Sequence, residues 1–165
     1  MPTIANSREL FVHKLGAALT MEETALTLLA TFREKASDSK LRRRLQDQYE
    51  GTQLQIQNLR HAFEALGERV ESRPSPIVAA LEQEGTQMIT QVDNDLVDSV
   101  ILDGVIETAS HEIAAYNELI IKAETIGEED LVPLFQENLE QDQQALDEAV
   151  KAAEQVSYQL AQQSL

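Results

Sequence analysis

The stretch "SHEIAAY", Ser110 to Tyr116, carries a carboxylate where its surroundings are those of a buried helix face. Steps of three and four residues, the spacing of one helix face, read Ile101, Val105, Ala109, Glu112, Tyr116 and Leu119. A second stripe repeats the interruption: Phe11, Leu15, Leu19, Glu22, Leu26, Leu29. A third runs through Leu131, Phe135, Asn138, Asp142, Ala145 and Ala149, and a fourth through Leu41, Leu45, Gln48, Thr52, Ile56 and Leu59. Burying an unpaired charge costs roughly several kcal/mol, so each inward acid requires a proton, hydrogen-bond donors or a cation. Two readings follow. Glu22 and Glu112 share a proton and accept donors from Tyr116, Gln48, Gln55 or Asn138, or else Glu22, Glu112, Asp142 and Gln48 hold a metal ion. An oxygen-only set suits Mg, Mn, Ca or iron better than tightly bound zinc.

Four long segments of helical period must position these groups. Asn6 or Ser7 opens the first, which runs to about Ala36, and the Ser37-Asp38-Ser39 cluster ends it and caps the second. The second ends at Gly67. After the linker "ERVESRPSP", Ser75-Pro76 starts a shorter helix to about Gln91. Asp93 or Asp95 opens the next long helix, with Gly127 as its stop, and the last begins near Glu129 with Pro133 in its first turn. No segment alternates with period two long enough for a strand, and there are six glycines and four prolines. The fold expected is all-α: an antiparallel four-helix bundle with one crossover that carries a short extra helix, the ferritin-like architecture. If each pair is antiparallel, the four polar interruptions lie at one level.

The 165 residues fit a single domain spanning 1–165. Cysteine is absent, which removes disulfides, thiolate ligands and thiol nucleophiles. Thirteen Lys and Arg against 29 Asp and Glu give a net charge of −16, which repels nucleic acid and anionic membranes. The cluster Lys40, Arg42, Arg43, Arg44 reads as a solvated helix end. No apolar run approaches about 20 residues and the N-terminal stretch lacks a leader pattern, so the chain reads as soluble and cytoplasmic. No Gly-rich phosphate loop, H-E-x-x-H or Ser/His/Asp set is present, and no catalytic residue is assigned. His13 and His61 fall on solvent faces and His111 at the edge of its stripe, so none is expected as a ligand.

At these residues the sequence resembles the YciE/YciF family of ferritin-like, stress-associated bacterial proteins. "ELFVHKLGAALTMEETA" is similar to the family's opening helix, with Glu22 on the Glu of "AEKQL". "QYEGTQLQIQNL" resembles "HLEETHGQIERI", "SHEIAAYNEL" resembles "HYEIASYGTL", and "FQENLEQDQQALD" resembles "LKETLEEEKATD". The resemblance implies a ferritin-like bundle, a homodimer and a two-metal site with no established reaction. This chain departs from the motifs at that site. Gln48, Gly51 and Gln53 stand where the second-helix motif has His, Glu and His, and Ala109 and Ser110 replace a Glu-His pair. Glu22, Glu112 and Asp142 survive as inward acids, whereas Glu50 and Glu140 point outward by the period count.

The function expected is that of a stress-associated bundle protein with a degenerate carboxylate centre, non-enzymatic or weakly metal-binding, acting as a dimer. The alternative is an iron or manganese di-metal carboxylate protein with oxidase or peroxide-handling activity. Whether Glu22, Glu112 and Asp142 converge on a metal separates the readings.

Overall fold

The computed structural model describes residues 3–163. Its helices are α1 (Ser7–Lys35), α2 (Ser39–Ala65), α3 (Pro76–Gln91), α4 (Val97–Thr125) and α5 (Val132–Gln163), and the described residues include no strand. Short polar side chains set the first boundaries. Asn6 caps α1 by accepting from the Glu9 amide at 2.9 Å, and Asp38 caps α2 by accepting from the Leu41 amide at 2.9 Å. Gly67 and Gly127 end α2 and α4 at φ of +68° and +81°, the left-handed backbone that terminates a helix without a Cβ penalty.

The opening of α4 differs from the expectation of an aspartate cap. Asp93 precedes a 3-10 turn, Asn94–Leu96, and α4 proper begins at Val97 with no side-chain cap. Main-chain bonds do the work, the Leu96 amide donating to the Asp93 carbonyl at 2.9 Å. Asp98, in the first turn of α4, instead accepts from the Ser37 and Asp38 amides at 2.7 and 3.1 Å and ties the α1–α2 turn to α4. A similar 3-10 turn, Glu129–Leu131, leads into α5.

Two apolar clusters fix the helix directions. One joins Phe11 and Leu15 near the start of α1 to Phe63 near the end of α2, Leu119 near the end of α4 and Phe135 near the start of α5. The other joins Phe32 near the end of α1 to Leu45, Ile101 and Ala149. Each consecutive pair is therefore antiparallel, as its short turn requires. Between α2 and α4 the chain must return along the bundle, and α3 makes that crossover with Val78 in the first cluster and Ile89 in the second.

The stretch leading into α3 is strapped to α1. The Arg73 amide donates to the Gly16 carbonyl at 3.0 Å, the Thr20 hydroxyl donates to the Arg73 carbonyl, and the Ser72 hydroxyl donates to Glu23 Oε1 at 2.6 Å. Gly16 permits this approach, because a Cβ there would stand 2.7 Å from the Glu71 carbonyl oxygen. No helix among the described residues is long and apolar enough to cross a membrane.

Candidate metal centre

Between the two apolar clusters lies a polar layer. Glu22 of α1, Thr52 and Gln55 of α2, Glu112 of α4, and Asn138 and Asp142 of α5 are all buried. Each follows from helical spacing: Glu22 is three residues from Leu19, Glu112 three from Ala109 and Asp142 seven from Phe135, so each stays on its helix's core face.

Glu22, Glu112 and Asp142 converge, each offering a carboxylate oxygen within 4.8 Å of the others. Glu22 is fully buried, no amide or base reaches its oxygens, and the hydrogen-bonding groups beside it are the Glu112 carboxyl and the Tyr116 hydroxyl. Asp142 Oδ1 accepts from Gln55 Nε2 at 2.9 Å, while its Oδ2 is buried without a partner. Asn138 does not reach the acids. It donates to Tyr116 Oη at 3.0 Å and to the Gln55 carbonyl at 3.2 Å, and its own Oδ1 accepts from Asn58 at 2.9 Å. This network holds α2, α4 and α5 at one level and so fixes where Gln55 meets Asp142.

Burial sets the electrostatics. It pushes the Glu22 carboxyl well above the usual range, and the charge of Asp142 adds to the shift. Glu112 is raised in the same way, first by burial and then by the charges of Glu22 and Asp142. Asp142 is pushed up to about 6 by burial, with hydrogen bonding working in the other direction. Three acids packed together without a compensating base thus favour their protonated forms, and a cation reverses that preference.

The donor set discriminates between one ion and two. Two-metal centres in such bundles take a Glu from each of two helices and a Glu-x-x-His pair from each of the others. Here α1 and α4 supply Glu22 and Glu112. The buried pair at that spacing on α2 is Thr52 and Gln55, and on α5 Asp142 is followed three residues later by Ala145. Three carboxylates and no imidazole fit one hard cation and do not fit a pair. None of the histidines joins them: His61 is exposed, His13 is half-buried early in α1, and half-buried His111 sits beside Met21, Val78 and Glu82, where burial lowers its pKa.

A cleft of about 240 Å³ leads to the acids, with Glu112 and Asp142 at its base and the exposed residues Asp47, Gln144 and Glu148 at its rim. Half-buried Gln48 is on its wall and within α2 lies two turns from Gln55. Gln55, on the flank of the α2 stripe in the sequence, is the amide that meets Asp142. Its signal was its spacing of three from Thr52 and four from Leu59, which marks the arc that turns inward. The cleft left no trace in the apolar pattern. Arg44 lines it while Lys40, Arg42 and Arg43 are exposed, so the basic cluster is mostly a solvated helix start.

A family model described as a domain of unknown function, DUF892, matches residues 6–162. No curated protein matches the chain significantly. Among solved structures, YcfI of Rhodopseudomonas palustris is similar at 26% identity and a TM-score of 0.86, over 88% of this chain and 94% of that one. The E. coli stress protein YciF matches at 22% identity and a TM-score of 0.87, over 96% of this chain and 99% of that one. A protein of Xanthomonas campestris pv. campestris matches at 22% identity and a TM-score of 0.76, over 97% and 100% of the two chains. The bundle is thus the ferritin-like fold that the spacing of the stripes predicts.

Proposed function

This chain belongs to the DUF892 family of unknown function, and from that premise we propose that it is a non-enzymatic bundle protein that binds one hard divalent cation weakly. Manganese or ferrous iron is held by Glu22, Glu112 and Asp142, with Gln48 able to contribute its amide oxygen from the cleft wall. We read residues 1–165 as one domain acting as a homodimer. A stress-associated role is carried over from the likeness to the E. coli stress protein YciF.

The observation that carries the metal reading is the convergence of Glu22, Glu112 and Asp142, three buried carboxyl groups with oxygens within 4.8 Å of one another. A merely structural core ordinarily spreads or neutralises such groups, because three acids brought together cannot all ionise without a cation. Weak binding follows from the same acids, because the ion must displace the protons that burial favours. Bound there, the ion would supply charge neutralisation in the core.

The test is titration of chelator-treated protein with Mn²⁺, and anaerobically with Fe²⁺, at pH 7.5. One equivalent per chain, with proton release and with loss of binding in Glu22→Gln, is the expected result. Two equivalents together with oxygen or peroxide consumption would reinstate the di-metal alternative, and no binding of either ion would sink the metal reading.

A further inference from the structure

Five of the six glycines have a structural reason to be glycine. Gly67 and Gly127 have positive φ, and a Cβ at Gly16, Gly85 or Gly104 would stand between 2.5 and 3.2 Å from a neighbouring heavy atom. Gly51 has neither reason. Its φ is not positive, and a Cβ there would meet Gln141 Oε1 at 3.5 Å, an ordinary contact. Inside a helix glycine costs about 0.5–1 kcal/mol relative to alanine. What the missing side chain at Gly51 does accomplish is to keep open the cleft above the acids, whose wall it forms.

That cleft has two chemically distinct parts. Leu28, Leu29, Phe32 and Val105 give it an apolar wall, and Glu112 and Asp142 close its base. Asp142 Oδ2, buried and unpartnered, belongs to a residue at that base. A hydrated metal ion makes no use of an apolar wall. An apolar cavity of about 150 Å³ takes benzene, so about 240 Å³ accommodates a six-carbon body together with a head group. The head group matched to two carboxylates is a cation with several N–H donors, and the rim adds Asp47 and Glu148 against the single base Arg44.

We propose that the cleft kept open by Gly51 binds a small primary ammonium compound with an apolar body. Its ammonium pairs with Asp142 and Glu112, and its body lies along Leu29, Phe32 and Val105. This goes beyond the metal reading and does not require it, since the ammonium and the metal ion compete for shared carboxylates.

The probe is n-hexylammonium, with 1-hexanol and hexanoate as controls, titrated by calorimetry and amide chemical shifts into the metal-free full chain at pH 7.5. Saturable binding of hexylammonium is expected, with hexanol weaker by about tenfold or more and hexanoate weaker still. Gly51→Leu, which fills the cleft, should abolish binding, and its melting curve will report whether it remains folded. Gly51→Ala controls for helix propensity, and Asp142→Asn should weaken hexylammonium while leaving hexanol unchanged. Equal affinity for all three probes, no binding of hexylammonium, or binding that survives in a folded Gly51→Leu would each overturn the proposal. If hexylammonium binds and Mn²⁺ does not, the metal reading fails and this one stands; if Mn²⁺ alone binds, the reverse holds. When both bind, saturating Mn²⁺ should displace the amine.

Discussion

Asp142 titrates where folded and unfolded states differ. Its ordinary value of 3.8 is pushed up to about 6 by burial, so the folded chain holds that proton more tightly than the unfolded one between those values. Stability from this group is therefore fully present below about pH 4 and is lost as pH rises through about 6, an effect of about 3 kcal/mol. Metal-free protein is expected to melt at a lower temperature at pH 7.5 than at pH 4.5, and Asp142→Asn should flatten that dependence. A slope unchanged in the variant would assign the pH response to other groups. Glu112 lies further along the same line, because it is raised well above its ordinary value by burial and by the charges of Glu22 and Asp142. At pH 7.5 the parent must either keep a proton on it or bury its charge, and Gln requires neither. Glu112→Gln should stabilise metal-free protein by about 1–3 kcal/mol at pH 7.5, with little gain at pH 4, and should abolish metal uptake. A melting temperature lowered at both pH values would show that the carboxylate contributes something an amide cannot supply. The three acids were legible in the sequence because one helical period places each on an apolar stripe. Which amide meets Asp142 was not, since Gln48 and Gln55 share a face of α2 and only the height of α5 beside it selects Gln55.

Glycines within helices separate two effects at the scale of the element. At Gly104 of α4 a Cβ would lie 2.7 Å from Phe32 Cζ, and Phe32 is itself buried in the second apolar cluster. Overpacking costs typically about 1–3 kcal/mol, more than the roughly 1 kcal/mol of helix propensity that alanine restores. Gly104→Ala is expected to destabilise the fold. Gly51→Ala meets no such obstacle and should stabilise it by about 0.5–1 kcal/mol, which denaturant unfolding of the pair will resolve. Were both to destabilise, Gly51 would have a packing role that its 3.5 Å contact does not reveal. Helix ends were largely readable, because Asn6, Asp38, Gly67 and Gly127 act on residues only a few positions away. The strap of residues 71–73 on α1 was not readable, since the Arg73 amide finds its acceptor at Gly16, far off in sequence, and no local pattern encodes that pairing. For the same reason the start of α4 read as an aspartate cap. Neither Asp93 nor Asp95 caps it: a 3-10 turn takes over the entry, and Asp98 in the first turn of α4 binds the α1–α2 turn.

For the whole molecule, directions followed from loop lengths. Turns of a few residues after α1 and α4 make those pairs antiparallel, and the long stretch between α2 and α4 makes the crossover. What lies outside the bundle is set by area. The chain exposes 9473 Å², whereas a compact monomer of 18.4 kDa exposes about 8,200 Å². The excess, about 1,300 Å², exceeds the roughly 800 Å² that each partner contributes to a standard interface. A groove of Ile106, Val150, Ala153 and Tyr158 runs between α4 and α5, where Tyr158 is 72% exposed. Long helices also raise the area, and the mass in solution separates the two contributions. Light scattering on the purified chain should give twice the monomer mass at micromolar concentration, and Val150→Asp should return it to the monomer mass if the groove is the shared face. A net charge of −16 on each copy makes association salt-dependent. The dimer should therefore tighten as ionic strength rises from about 0.01 to 0.15 M, where the screening length falls from about 30 to 8 Å. A monomer mass at both ionic strengths would remove the homodimer and leave the excess area to the elongation of the bundle.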